Sequence, residues 1–386
     1  MQFIDLGAQQ KRIKEKIDNN IANVLAHGKY IMGPEVSELE KRLAEYVNAE
    51  HAIACSSGTD ALLMALMAHG VGPGDAIFTS PFTFIATAEV ISILGATPVF
   101  VDINSDTFNI DPELLYKAIT ALKEGKSDQY PLPVGPIGQG LNPKGIISVD
   151  LFGLPCDYDQ IQAVCKKHDL FLIEDAAQGF GAEYKGRKAC SFGDIGCTSF
   201  FPAKPLGCYG DGGMCFTNDD NLAQKMRSVR VHGKGTHKYD NVRVGINGRL
   251  DTIQAAILHA KFDIFPEEVE LRNEVADRYA RMLNAGSNVC APRTPAGFKS
   301  VWAQYSVLAE NQDARESLMA KLKSNNIPSA IYYPKPLHLQ NVYSFLGYKE
   351  GAFPVSENSA NCIFSLPMYP YLEEADQKNI AMILSE

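Results

Sequence analysis

Between Gly72 and Glu174 the chain alternates short apolar runs with amphipathic stretches, a rhythm that few folds accommodate. Ala76 to Thr79, Pro98 to Asp102, Ile146 to Val149 and Leu170 to Glu174 are apolar runs of strand length. Thr83 to Leu94, Asp111 to Leu122 and Asp157 to His168 lie between them with apolar residues at helical spacing. Strands joined by helices of this length predict βαβ units and a mostly parallel sheet covered by helices. Ligands of such sheets gather at the carboxyl ends of the strands. Asp175 stands at one such end, directly after Leu170-Phe171-Leu172-Ile173-Glu174.

The flanking segments extend this α/β plan. Gln9 to His27 and Glu35 to Val47 predict amphipathic helices, and Ala52 to Cys55 a short strand. That strand runs through Ser56-Ser57-Gly58-Thr59-Asp60 into a helix from Ala61 to His69. Met214 to Thr217 reads as a strand pairing with one that ends at Phe201, and Asn221 to Val231 as a helix. Residues 125–145, rich in glycine and proline, predict a surface excursion, and the polar stretch 232–247 a loop held by something outside itself. Arg249 to Phe265 and Pro266 to Leu283 predict two longer helices, with Pro266 opening the second. After a linker over 285–300, a smaller α/β unit is expected: strand 302–309, helix 313–324, strand 329–333 and a final helix from Glu373. The expected division is a large domain over 1–265 and a small one over 266–386.

Composition narrows the functional classes. A net charge of −9 over 386 residues argues against a general nucleic-acid or anionic-membrane surface. Nine cysteines without a C-x-x-C pair suggest neither a disulfide framework nor a zinc ribbon, and the eight histidines do not join them at ligand spacing, so no metal is expected. The first residues lack a signal peptide's basic and apolar regions, and the apolar stretch 85–103 is broken by Glu89, Gly95 and Pro98. A soluble, cytoplasmic protein is expected.

Three local features carry chemistry. Lys204 lies in Phe200-Phe201-Pro202-Ala203-Lys204-Pro205-Leu206, an apolar run that its prolines make stiff and extended. Desolvation there favours a neutral, nucleophilic amine, while a surface lysine lying over apolar neighbours is the competing reading. The helix start at Gly58-Thr59 can offer free N–H groups to a phosphate, or Ser57 or Thr59 can simply cap the helix. Asp175 can hold a proton on a pyridine nitrogen, or can cap a following helix. Together an activated lysine, a phosphate cup and a strand-end carboxylate are what pyridoxal phosphate requires. A nicotinamide-binding reading fails on spacing, since no G-x-G-x-x-G follows a strand.

Five segments resemble the DegT/StrS-type sugar-nucleotide aminotransferases, over almost the whole chain. They are Ser56 to Leu62, Pro81 to Thr87, Glu174 to Gln178, the Lys204 run and Gly245 to Ala256. The resemblance implies the fold type I architecture: a seven-stranded, mostly parallel sheet domain, a small C-terminal α/β domain and a homodimer with sites at the interface. It implies Lys204 as the Schiff-base lysine and proton shuttle, and Asp175 as the pyridinium partner. Gly58, Thr59 and Ser199 match phosphate binders, Phe84 a ring-stacking aromatic and Gln178 a position near the ring hydroxyl. Asn247 matches an asparagine that reaches the neighbouring subunit's cofactor phosphate. The implied reaction is ping-pong transamination from L-glutamate to a keto-sugar nucleotide. The dehydrases of the same superfamily, which carry histidine at the lysine position, are set aside by Lys204. The branch resembled aminates UDP-linked 3-keto-N-acetylglucosaminuronate in cell-surface polysaccharide precursor synthesis; a 4-keto or another 3-keto UDP- or dTDP-sugar, or a cofactor-binding regulatory protein without turnover, are the alternatives. For the uronate substrate Arg249 suits a carboxylate, unless it pairs with Asp251 or a glutamate, and Tyr332 and His338 fall where the family's substrate loop lies, with a plain surface position as the competing reading.

Overall fold

The computed structural model describes residues 1–134, 140–237, 239–283 and 287–385. Two helices open the chain, α1 (Leu6–His27) and α2 (Pro34–Val47). The alternating region runs β1 (His51–Cys55), α3 (Gly58–Ala68), β2 (Asp75–Thr79), α4 (Ala86–Ile93), β3 (Thr97–Phe100), α5 (Pro112–Glu124), β4 (Asn142–Val149), α6 (Tyr158–His168) and β5 (Phe171–Asp175). Next come a two-residue hairpin, β6 (Glu183–Tyr184) and β7 (Arg187–Lys188), then β8 (Ile195–Ser199), β9 (Gly213–Thr217), α7 (Asp220–Val229), α8 (Thr252–Phe262) and α9 (Phe265–Leu283). The C-terminal part holds β10 (Val289–Cys290), β11 (Phe298–Lys299), β12 (Tyr305–Ala309), α10 (Gln312–Ser324), α11 (Pro354–Cys362), β13 (Ile363–Leu366) and α12 (Glu374–Ser385).

The main sheet has seven strands in the order β1-β9-β8-β5-β4-β2-β3. Only β9 runs against the others: it pairs antiparallel with both β1 and β8, while β8, β5, β4, β2 and β3 pair in parallel. The carboxyl ends of β1, β2, β4, β5 and β8 therefore open on one edge, the edge from which β9 departs. Both faces of the sheet are covered by buried apolar clusters, which is why the central strands read as unbroken apolar runs. Helix entry follows local chemistry: Asp111, Asp157, Asp219 and Asn311 each accept an N–H from the first turn of their helix, a cap worth about 1 kcal/mol. A second sheet, β10-β12-β13, packs with α9, α10 and α12 around its own apolar cluster.

Several boundaries differ from those the periodicity suggests. The first turn of the expected 83–94 helix is not helical, so Phe84 precedes α4 and lies 54% exposed. Arg249 likewise precedes its helix, because Ile31 and Asp251 bridge there and Thr252 N bonds to Tyr30 O. The 329–333 run makes one bridge, Ala330 to Ser365, and no strand, while β13 takes the place beside β12. Strand β4 starts at Asn142, inside the expected 125–145 excursion, where Tyr130 and Leu132 are also buried. Residues 135–139 of that excursion lie outside the described residues, as does Lys238 of the polar loop.

Under the sheet edge, Asp150 and Glu174 are fully buried carboxyls on neighbouring strand ends. Asp150 accepts from Tyr158 Oη and Cys156 N, and Glu174 accepts from the backbone N–H groups of Cys190 and Phe192. Burial first, and then the charge of Glu174, hold Asp150 well above the ordinary carboxylate range, while burial pushes Glu174 up to about 7. An acid whose pKa is raised on folding keeps a proton that the unfolded chain has already released. Its stabilising contribution is complete below the unfolded pKa and is lost as pH rises through the folded one. Thermal unfolding midpoints should therefore decline as the pH rises from about 4.5, the ordinary glutamate value, to about 7, the value Glu174 takes on folding. In Asp150→Asn, which faces Glu174 without needing a proton, that decline should flatten. Equal slopes in the two proteins would contradict the electrostatic coupling of Asp150 to Glu174.

Candidate active site

At the carboxyl edge of the sheet lies a cavity of about 600 Å³, and the strand ends supply its wall. The turn after β1 gives Ser57, Gly58 and Thr59; the turn after β2 gives Thr83 and Phe84; β5 and its exit give Asp175, Ala177 and Gln178; β8 and its exit give Ser199, Phe201 and Lys204. From the C-terminal part come Gln304, Tyr332 and Tyr333. Lys204, Asp175, Gly58, Thr59, Ser199, Phe84, Gln178 and Tyr332 thus meet in one space although they are far apart in sequence.

Lys204 sits in a tight turn and not on the extended segment its prolines suggest. Its N–H bonds to Phe201 O at 2.8 Å, with Pro202 at the second turn position, where a fixed φ is favoured. Backbone bonds then close the loop behind it: Cys208 N to Phe200 O and Phe200 N to Gly212 O, each 2.7 Å. Glycine is required at 207, since a Cβ there would lie 2.5 Å from Pro202 O. The stretch 207–213 is therefore a clamp behind the lysine. Among the described residues Lys204 Nζ has no hydrogen-bond partner. Desolvation pulls its pKa down, and the negative charge of Asp175 opposes the change.

Asp175 is 5% exposed, and each carboxylate oxygen has one donor. Oδ2 accepts from Thr87 Oγ1 at 2.8 Å, and Oδ1 from Ala177 N at 3.2 Å. Burial pushes its pKa up, while the Thr87 hydroxyl, the Ala177 amide and the Lys204 charge restrain the rise. Thr87 itself lies 3.3 Å from Thr83 Oγ1, which makes a short hydroxyl chain into the helix. Gln178 is held at both ends: its Oε1 accepts from Phe152 N and its Nε2 donates to Tyr333 Oη.

The start of α3 satisfies both readings of its sequence. Ser57 Oγ accepts from Asp60 N at 3.0 Å and caps the helix. The N–H groups of Gly58 and Thr59 have no acceptor among the described residues, and both residues line the cavity. A Cβ on Gly58 would approach Ser199 Cβ to 2.6 Å, so glycine lets the helix start and the β8 exit close together. These free amides with the helix dipole suit a phosphate. A desolvated amine without a partner suits an aldehyde, and a buried carboxylate suits a protonated ring nitrogen. Pyridoxal phosphate fits this donor set.

Other expected residues fall elsewhere. Asn247 and Arg249 line an adjoining pocket of about 580 Å³ with Ile31, Ser56, Asp60 and Gln254; Ser57 and Asp211 line both spaces. Arg249 Nη2 donates to Asn247 Oδ1, and its Nε is buried without a partner, so it pairs with neither Asp251 nor a glutamate among the described residues. His338 is not brought to the cavity. Its ring is 2% exposed, packs edge-on against Phe353 and bonds to Glu357 at 2.9 Å. Aromatic neighbours buried it, which a residue flanked by leucines and prolines did not reveal. Thr87, Asp211, Tyr333 and Gln304 are lining or supporting residues that sequence reasoning did not single out.

The seven-stranded sheet with this site at its carboxyl edge defines a pyridoxal-phosphate-dependent transferase of fold type I. Residues 11–385 match the DegT/DnrJ/EryC1/StrS aminotransferase family, and the chain belongs to it. It is 47% identical to the UDP-2-acetamido-2-deoxy-3-oxo-D-glucuronate aminotransferase of Pseudomonas aeruginosa, over 100% of this chain and 99% of that protein. It is 38% identical to the UDP-N-acetyl-3-dehydro-alpha-D-glucosamine 3-aminotransferase of Acidithiobacillus ferrooxidans, over 99% of this chain and 96% of that protein. A crystal structure of a DegT/DnrJ/EryC1/StrS aminotransferase from Brucella abortus superposes with a TM-score of 0.92 at 51% identity, covering 100% of this chain and 98% of that one. NtdA of Bacillus subtilis, solved with the bound cofactor PMP, superposes with a TM-score of 0.84 at 28% identity, covering 100% of this chain and 83% of that one. The chain is a pyridoxal-phosphate-dependent sugar-nucleotide aminotransferase. No helix among the described residues is long and apolar enough to cross a membrane.

Thr87 gives a direct test of how the carboxylate is tuned. Thr87→Val removes a hydroxyl bond to a charged group, worth about 1.5–3 kcal/mol. Asp175 then protonates more readily, so the acid limb of the kcat/KM profile should move to higher pH. Thr87→Ser should restore it. An unmoved limb would show that Thr87 serves packing alone.

Proposed function

We propose that this aminotransferase carries an amino group from L-glutamate to a UDP-linked 3-keto-N-acetylglucosaminuronate, in the cytoplasm, for cell-surface polysaccharide precursors. The observation that carries the substrate assignment is the 47% identity along the whole chain to the Pseudomonas aeruginosa enzyme named for that sugar. When bound, pyridoxal phosphate supplies an aldehyde that accepts and releases an amino group and a ring that draws electrons from the reacting carbon. In this reading Lys204 supplies the anchoring amine, and its Nζ takes and returns the proton that transamination moves. Asp175 stays ionised and holds a proton on the ring nitrogen. Gly58 N, Thr59 N and Ser199 Oγ bind the phosphate, Phe84 lies against the ring, and Gln178 stands near the ring hydroxyl. Tyr332 contacts substrate, whereas His338 acts only through the loop it anchors. The division at residues 265 and 266 separates a cofactor-binding domain from a small domain that brings Tyr332 to the cavity.

Charge supports a second copy of the chain. Among the described lining residues Lys204 is the only cation, beside two carboxylates, Asp175 and Asp211. A phosphate and a uronate carboxylate therefore call for a cation from beyond this wall. Arg249, with its buried unpartnered Nε, is such a cation, and Asn247 lies next to it. A homodimer that sets the 247–249 segment of one chain against the cavity of the other would supply both. Val242 and Val244, 56% and 83% exposed on the adjoining loop, would be covered in the same contact.

Two experiments test this reading. The purified protein with pyridoxal phosphate should be yellow, and borohydride should fix the cofactor on Lys204, by mass spectrometry of the peptide. Lys204→Ala should remain colourless, and label on another lysine would overturn the role. Arg249→Ala should lose at least about tenfold more kcat/KM on the uronate than on UDP-N-acetyl-3-dehydro-glucosamine. If sites are shared, mixing Lys204→Ala with Arg249→Ala chains should restore about a quarter of wild-type activity, the fraction of intact sites in a random dimer mixture. No gain on mixing would sink the shared site.

A further inference from the structure

Among the described residues two glutamines line the cavity, and they are not equivalent. Gln178 is spent on the protein, with Phe152 N on its Oε1 and Tyr333 Oη on its Nε2. Gln304 is spent on nothing: among the described residues its carboxamide makes no hydrogen bond, and its Oε1 is buried. Buried amides are nearly always paired, so an unpaired one on a cavity wall asks for a ligand or an ordered water.

The backbone beneath Gln304 is tied to the turn over Leu151–Gly153 that follows β4. Val301 N donates to Gly153 O at 2.9 Å, Ser300 Oγ donates to the same oxygen at 3.0 Å, and Gln304 N reaches Phe152 O at 3.4 Å. Gly153 makes this approach possible, since a Cβ there would lie 2.8 Å from both Trp302 N and Ala303 N. The unpaired side chain is thus presented from a fixed support, on the wall that also carries Tyr332, Tyr333 and Lys204. On its other side is a cavity of about 20 Å³, room for about one water, lined by Trp302, Ser306 and Arg293 among others.

We infer that Gln304 is a specificity residue for the keto-sugar, its carboxamide pairing with an uncharged hydroxyl or amide of the sugar. The inference rests on the function proposed above. The choice between the two substrates follows from charge. The amino donor presents an ammonium and carboxylates, which ionic groups serve better, whereas hydroxyl and acetamido groups match an amide's paired donor and acceptor. A site built to hydrogen-bond a substrate group discriminates strongly against a substrate or a variant that lacks the partner.

The test uses holoenzyme carrying Gln304→Met, which keeps side-chain length and removes both polar atoms. The kcat/KM for the keto-sugar nucleotide should fall about tenfold or more, while single-turnover bleaching of the yellow cofactor by L-glutamate should stay within about twofold. The thermal midpoint should not fall, because the substitution removes an unpaired amide. An equal loss in both half-reactions, or no change in either, overturns the inference; the second result would leave Gln304 to the small cavity and its water. Wild-type turnover is measured first with the UDP-linked 3-keto uronate. Failure there sinks the substrate assignment alone, and the split is then read with whichever UDP- or dTDP-linked 3-keto or 4-keto sugar the wild type accepts.

Discussion

The parallel pairing of β5 with β8 is the contact on which the site depends. It sets Asp175 opposite Cys197, so the carboxylate and the exit of β8 leave the sheet side by side. Lys204 is then returned over that edge by a turn with no freedom to drift. Desolvation acts on both groups in opposite senses, down for the amine and up for the acid, and each partly restores the other's charge. No direct hydrogen bond between them is present, so the pair is only half compensated. A ligand with an electrophilic carbon at one end and a basic ring nitrogen at the other relieves both.

Much of this was legible in the sequence, and the reasons are specific. The central strands are covered on both faces, so apolar runs such as Leu170 to Ile173 announced most of them within a residue or two, although β4 begins four residues before its apolar run. Lys204, Asp175 and the Gly58-Thr59 start stood out because each is a polar or small group at an abrupt end of an apolar run. Gln304 and Thr87 carried no such mark. Gln304 acquires meaning only from two long-range backbone ties, and Thr87 sits in a short, mostly apolar helix where a threonine is unremarkable. The aromatic run around Tyr332 and Tyr333 has strand composition, yet its place beside β12 is occupied by β13. His338 shows the converse: a titratable residue in the right loop, taken up by Glu357 and an aromatic cluster.

Charge economy separates the cavity from its surroundings. Among the described residues its wall is largely apolar and aromatic, with two acids and one amine, whereas the adjoining pocket holds arginine, asparagine and aspartates. Ser57 and Asp211 belong to both, so the helix start that offers amides to one space also borders the other. Binding chemistry and charge recognition are thereby divided between two neighbouring compartments that share a rim.

The antiparallel strand β9 has a consequence for how this sequence can change. The chain leaving Lys204 must pass Gly212, bond back to Phe200 and enter β9 at Gly213, where a Cβ would lie 2.3 Å from Ser57 O. Lysine loop and phosphate cup are thus sewn together by a stitch of set length. Insertions and deletions, tolerable in the connection between β3 and β4, have no room between residues 204 and 213. Variation in length along this chain should therefore be asymmetric, free on the flank of the sheet far from β9 and forbidden in the nine steps after the lysine.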